Sequence, residues 1–159
     1  MKTIAFFFIK SYDKESFLKY AGEDLNIRFF ENKLNKDTVS MAACCDAVCA
    51  FVNDSIDKTV IETLEKYGVG LIAMRCAGYN NVDLTAADKA GIKIVRVPAY
   101  SPNAVAEHAV AILLALTRHI PQAYLRTKTG NFTLTGLTGR NLNGLTAGIL
   151  GTGKIGQIM

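Results

Sequence analysis

Gly151-Thr152-Gly153-Lys154-Ile155-Gly156 is a G-x-G-x-x-G run, and glycines at that spacing can bring a backbone against a pyrophosphate. The first permits a tight turn, the second lets backbone approach the phosphates, and the third lets a helix pack on a strand. The helix N-terminus then faces the anion. That chemistry needs a strand before the turn, and Leu145-Thr146-Ala147-Gly148-Ile149-Leu150 reads as one. A dinucleotide fold also needs a second strand and an acidic residue about 20 positions on, to hold a ribose; neither falls within these residues. Gly148 and Gly153-Lys154 nearly spell the phosphate loop of triphosphatases. That loop requires Ser or Thr next, to ligate magnesium, and Ile155 offers no oxygen.

A second small-residue stretch is Arg75-Cys76-Ala77-Gly78-Tyr79-Asn80-Asn81-Val82-Asp83, directly after an apolar run at residues 69–74. In doubly wound sheets ligands collect outside the carboxyl ends of strands. A glycine turn with free backbone N–H groups can hold a carboxylate there without a charged side chain. The other reading is a plain strand-to-helix turn in which Asn and Asp serve turn chemistry. Tyr100 also has two readings, a hydroxyl offered to a ligand or a packing residue at a hinge. His108 and His119 are the only histidines. On one helix they lie about 20° apart, whereas Glu107 and His108 point about 100° apart and cannot face each other. A polar role at an interface fits both histidines, and neither is assigned to catalysis. Asp54 and Asp57 stand at an expected helix start, where capping and the dipole account for both. Cys44, Cys45, Cys49 and Cys76 match no zinc spacing and have no histidine nearby. They read as structural thiols, with Cys49 a small hydrophobe in a buried strand, and no metal is expected.

The elements that must position these residues alternate. Strands are expected at residues 2–9, 26–30, around Val48, at 69–74 and at 92–97, with helices at 14–21, 36–43 and 56–67 between them. In the last of these Ile56, Val60, Ile61, Leu64 and Tyr67 share one face, with Asp54 or Ser55 as cap and Gly68 as stop. Thr85 and Asp88 have capping-box spacing for a further short helix. Five short apolar strands separated by helices predict an α/β fold with a parallel, doubly wound sheet. Ser101-Pro102 then starts a helix, Ser as cap and Pro at the first position. From Ala104 to Leu116 that helix is apolar almost all round, so a second domain or subunit must bury it. Residues 122–128 read as helix and 129–144 as a polar, Gly-rich connection. The boundary falls near Ala99 to Ser101, giving a first domain at 1–100 and the start of a second at 101–159.

Composition narrows the class. With 159 residues, 50% apolar and 20% charged, the chain can bury a core. A net charge of +4 is scattered, without a basic run, and does not indicate nucleic-acid binding. The apolar start reads as a first strand and not a secretory signal, because Lys10, Asp13 and Lys14 follow instead of a cleavage site. No apolar stretch reaches the roughly 18 residues of a membrane span. A reduced, cytoplasmic protein is expected.

With these residues laid out, the chain resembles the D-isomer-specific 2-hydroxy-acid dehydrogenases, most closely the bacterial fermentative D-lactate dehydrogenases. The likeness rests on residues 75–83, on Val97-Pro98-Ala99-Tyr100-Ser101-Pro102-Asn103-Ala104-Val105-Ala106-Glu107-His108 and on Gly151 to Gly156, in family order. It implies a flavodoxin-like substrate domain, a Rossmann domain binding NAD, and a homodimer formed through the helix at 101–119. It implies that the backbone of Ala77 and Gly78 binds the carboxylate of a 2-oxo acid such as pyruvate, with Tyr100 near the substrate. Val105 would line the nicotinamide pocket, and Lys154 and Ile155, with Gly151, Gly153 and Gly156, would contact the pyrophosphate. The family transfers hydride from NADH to the carbonyl carbon while a His protonates the oxygen, an Arg fixes the carboxylate and a Glu supports the His. Those three residues follow the glycine motif in the family. The chain is therefore expected to be the N-terminal part of the enzyme, without catalytic residues and inactive alone. Hydroxypyruvate, glycerate or branched 2-oxo acids remain alternative substrates, and a non-catalytic NAD-sensing dimerisation module is an alternative function.

Overall fold

Five strands lie side by side, the central ones apolar and largely buried and the two edge strands more polar and exposed. The computed structural model describes residues 1–159 and divides into two compact units, Met1–Pro98 and Ala99–Met159. In the first, β1 (Lys2–Phe6), β2 (Leu25–Phe29), β3 (Ala47–Ala50), β4 (Leu71–Met74) and β5 (Lys93–Arg96) form one parallel sheet in the order β2-β1-β3-β4-β5. Register pairs Ile4 with Ile27 and Ala47, Val48 with Ile72, and Ile72 with Ile94. The expected α/β doubly wound fold is borne out, in the flavodoxin strand order, whose switch point lies between β1 and β3.

Helices α1 (Ser11–Tyr20), α2 (Lys58–Lys66) and α3 (Leu84–Lys89) connect the strands, and Val39–Ala42 is a single 3₁₀ turn where a short helix was expected. Helix α2 buries Val60, Ile61 and Leu64 on the face foreseen, with Ile56 buried just before it. Its cap is Asp57, which accepts from the Val60 N–H at 3.0 Å, and not Asp54 or Ser55. Asp54 is drawn into the interior instead. Likewise α3 is capped by Asp83, accepting from the Ala86 N–H at 2.9 Å, and not through Thr85 and Asp88. In both cases the helix starts where an Asp stands three residues before a free N–H. The core gathers Phe7, Leu34, Val48, Ile56, Val60, Ile61, Leu64 and Ile72. Removing one such aromatic costs about 3–5 kcal/mol.

The second unit contains α4 (Pro102–Thr117), α5 (Ile120–Lys128) and α6 (Lys154–Ile158). Ser101 caps α4 as expected, accepting from the Ala104 N–H at 3.3 Å with Pro102 at the first position. Val105, Val110, Ile112, Leu113, Leu114 and Leu116 of α4 are exposed, and only Ala106 is buried. His119 does not continue α4; it takes a left-handed φ of 52° between α4 and α5, so the helical spacing between the two histidines does not hold. Residues 145–150 form no strand, contrary to expectation. A strand is stable only with ladder partners, and the unit contains no other strand.

Candidate functional site

The chain leaves the carboxyl end of β4 as residues 75–83, and four consecutive carbonyls there are engaged by the protein. Cys76 O accepts from the Val97 N–H at 3.2 Å and Tyr79 O from the Val82 N–H at 3.1 Å. Ala77 O accepts from the Arg96 guanidinium at 3.0 Å, and Gly78 O from the Cys76 thiol at 3.2 Å. The N–H groups of the same four peptides, on Ala77, Gly78, Tyr79 and Asn80, donate to no protein acceptor. All peptides are trans, so each N–H points opposite its anchored carbonyl. Successive free N–H groups in a turn can form an anion-binding concavity. A hydrogen bond from such a group to a carboxylate contributes about 1.5–3 kcal/mol.

Three side chains brace the turn. Asn81 donates from Nδ2 to Phe51 O at 3.1 Å and Asp54 O at 2.9 Å, tying the turn to the β3–α2 loop. Ile56 N–H to Asn81 O and Asp83 N–H to Ile56 O complete that seam. Asp54 is 3% exposed and accepts from the Leu34 and Phe51 N–H groups. Burial pushes its carboxyl up, against those two bonds. Arg75 spans the carboxyl ends of β4, β3 and β1. It donates to Phe7 O at 3.0 Å and Phe8 O at 2.8 Å, pairs with Asp13 at 3.2 Å, and lies between the rings of Phe6 and Phe51. Both partners are largely buried, at 13% and 14% side-chain exposure, so removing either costs about 3–5 kcal/mol. Phe8, whose carbonyl Arg75 holds, has a left-handed φ of 54°, rare for a bulky residue. Burial pushes the Cys49 thiol up to about 12 and the Cys76 thiol upward as well. Cys49 thus packs as a small hydrophobe, and Cys76 keeps the proton it donates to Gly78.

In the second unit the three motif glycines meet three different demands. Gly151 has φ of +109°, open only to glycine at low cost. A Cβ on Gly153 would meet nothing within 4 Å, so the surface above it is free for a ligand. A Cβ on Gly156 would overlap the Gly151 carbonyl and press on Ile149 at 3.3 Å. The turn at Gly151 and the open surface at Gly153 are compatible with a dinucleotide motif, whereas Gly156 packs against the turn itself and not against a strand. Gly153 caps α6, and Lys154 and Ile155 open it, both exposed. Tyr100 and Val105, before and within the first turns of α4, are exposed too.

The structure therefore brings Ala77 and Gly78 into one turn and Gly151, Gly153, Lys154, Ile155 and Gly156 into another. His108 is exposed and His119 sits in the linker, and neither side chain has a hydrogen-bond partner. Sequence inspection missed Arg96 and the Asp13–Arg75 pair, and it singled out Asp54 as a cap and Asn81 as a turn residue without their tertiary partners. Of these only Asp54 carried a signal, an Asp three residues after Phe51 and so able to reach back to its N–H. The other contacts join residues distant in the chain.

Residues 4–150 match the model of the D-isomer specific 2-hydroxyacid dehydrogenase catalytic domain. D-lactate dehydrogenase of Escherichia coli K12 is 50% identical over 158 residues, covering 98% of this chain and 48% of that protein. The apo structure of D-lactate dehydrogenase from Escherichia coli superposes with a TM-score of 0.89 at 49% identity, over 99% of this chain and 50% of that one. D-lactate dehydrogenase from Aquifex aeolicus, complexed with NAD and lactic acid, gives a TM-score of 0.81 at 29% identity, over 98% of this chain and 46% of that one. The chain belongs to the D-isomer specific 2-hydroxyacid dehydrogenase family. It spans about half the length of the relatives it matches.

Proposed function

We propose that the full-length protein carrying this chain is an NAD-dependent D-lactate dehydrogenase that reduces pyruvate to D-lactate. The observation that carries this reading is the row of free N–H groups from Ala77 to Asn80, each backed by an anchored carbonyl, at a strand end of a doubly wound sheet. Ala77 and Gly78 bind the carboxylate of the 2-oxo acid by backbone donation. A small carboxylate needs no more from this unit. Tyr100 offers its hydroxyl to the substrate. Residues 1–100 serve as the first segment of the substrate domain and 101–159 as the beginning of the NAD-binding domain.

Gly151, Gly153, Lys154, Ile155 and Gly156 hold the pyrophosphate of the dinucleotide, and Val105 lines the nicotinamide pocket. The open surface over Gly153 and the positive φ of Gly151 fit that group. When bound, the reduced nicotinamide supplies the hydride. None of these 159 residues is assigned proton transfer, and the chain alone is inactive. The Aquifex aeolicus relative, bound to NAD and lactic acid, supports both ligand classes. The exposed apolar side of α4 supports a homodimer through the helix at 101–119. No helix is long and apolar enough to cross a membrane, and four free thiols fit a reducing, cytoplasmic setting.

The test is steady-state kinetics of the full-length protein with NADH against pyruvate, hydroxypyruvate and branched 2-oxo acids. Pyruvate is expected to have the highest kcat/KM, and Gly153→Val to abolish NADH binding while the first unit stays folded. Preference for another 2-oxo acid would reassign the substrate. Binding of NADH without turnover of any would favour a sensing module.

A further inference from the structure

Gly78 has no side chain to hold its peptide in place. A Cβ there would touch nothing within 4 Å, and glycine has the widest backbone freedom of any residue. Yet a carboxylate can use the Gly78 N–H only if that group is aimed before the ligand arrives, since each peptide left to order on binding subtracts from affinity. Something other than van der Waals contact must set the Ala77–Gly78 plane.

Arg96 is placed to do so. It is the last residue of β5, at the sheet edge, and its guanidinium donates to Ala77 O at 3.0 Å while lying 5.0 Å from the centre of the Tyr79 ring. It forms no ion pair with any carboxylate, and Ala77 O is its one hydrogen-bond acceptor. An exposed arginine with no acidic partner has no reason to favour that carbonyl over water, except that Tyr79 supplies a face on which the guanidinium lies. The peptide is planar and trans, so fixing Ala77 O fixes the Gly78 N–H in the opposite direction. A cation on the carbonyl also polarises the amide and strengthens its N–H as a donor. The Cys76 thiol does the same for the next peptide from Gly78 O, without charge.

We propose that Arg96 is a positioning residue: braced on Tyr79, it orients and polarises the Ala77–Gly78 peptide, so that the Gly78 N–H meets a substrate carboxylate preformed. The carboxylate clause rests on the function proposed above; the brace itself does not. Arg96 never touches substrate. Its effect travels through one peptide bond.

Two readouts on Arg96→Met and Arg96→Lys decide this. In the full-length protein, Arg96→Met is expected to raise the KM for pyruvate by about tenfold, the scale of a charged hydrogen bond. Its kcat and its KM for NADH should stay near wild type, and Arg96→Lys should recover most of the loss. In the 159-residue chain labelled with ¹⁵N-glycine, the Gly78 amide signal should move upfield in Arg96→Met and return toward wild type in Arg96→Lys. Pyruvate, used as the probe, should shift that signal in the wild type and require higher concentration in Arg96→Met. A Gly78 signal unmoved by Arg96→Met overturns the brace, whatever the kinetics. Equal losses in pyruvate KM, NADH KM and kcat mean general damage and overturn it too. A Gly78 signal that responds to Arg96→Met but not to pyruvate sinks the carboxylate reading and leaves the brace standing.

Discussion

Met1–Pro98 and Ala99–Met159 use apolar residues in opposite ways. In the first unit the sheet and its helices cover each other, and every buried apolar residue of the chain except Ala106 lies there. In the second, α4 carries as much apolar character per turn, yet Val110, Ile112, Leu113, Leu114 and Leu116 stay exposed. The difference is not composition. A parallel sheet offers two faces to which helices return after each strand, whereas the second unit contains three helices and a glycine turn but no strand of its own. A hydrophobic residue stabilises only where a neighbour removes it from water.

The strongest way to break that contrast is to truncate matched aromatics. Phe7→Ala is expected to destabilise the first unit by about 3–5 kcal/mol, while Phe132→Ala in the exposed connection should change stability by less than about 0.5 kcal/mol. Urea unfolding of the two variants measures both. Comparable losses would mean that the second unit has a core of its own.

Next in size is the polar seam under the candidate site. Asp54→Ala removes the acceptor of one buried and one partly buried backbone N–H group, at about 1–3 kcal/mol for a buried one left unpaired. The loop at 51–56 should loosen, and hydrogen exchange at Leu34 and Phe51 should accelerate. Unchanged protection at both amides would show that Asp54 is incidental to the turn.

A smaller effect is expected from the exposed face of the second unit. Ile112→Lys with Leu116→Lys should abolish self-association of the 159-residue chain, because a contiguous apolar face of this kind seeks a partner. Sedimentation velocity reads the change. A wild-type chain that sediments as a stable monomer, unaffected by the pair, would remove the helix at 101–119 from any interface.

The smallest concerns Asp46, whose carboxyl is held below its ordinary 3.8 by the Lys2 ammonium and the Thr3 N–H. A depressed carboxyl stabilises the fold above 3.8 and loses that contribution as pH falls through its folded value. Asp46→Asn should therefore flatten the acid limb by slightly lowering stability above 3.8, leaving stability below the folded value of Asp46 almost unchanged. An acid limb of the same slope would show that the contact with Lys2 is screened away in solution.

The limits of the sequence follow the range of the contacts. The strands around Ile4, Val48 and Ile72 were legible because a buried parallel strand is an unbroken apolar run, and α4 because Ser101-Pro102 marks its start. The caps of α2 and α3 were misplaced by two or three residues; at α2 Asp54, Ser55 and Asp57 all qualify locally and only packing chooses among them. Residues 145–150 read as a strand from their own side chains, but the ladder that makes a strand belongs to its neighbours.

The sequence by itself determined the parallel sheet, the order of its elements and the glycines that free the backbone at 78 and 151–156. Periodicity and glycine spacing are properties of adjacent residues, and the chain carries them before it folds. Only the tertiary structure decided that Arg75 would bridge three strand ends, that Asn81 would lock to Phe51 and Asp54, and that Arg96 would reach Ala77. Those contacts join residues 19 to 68 positions apart, and no local pattern records which distant group the folded sheet will bring alongside.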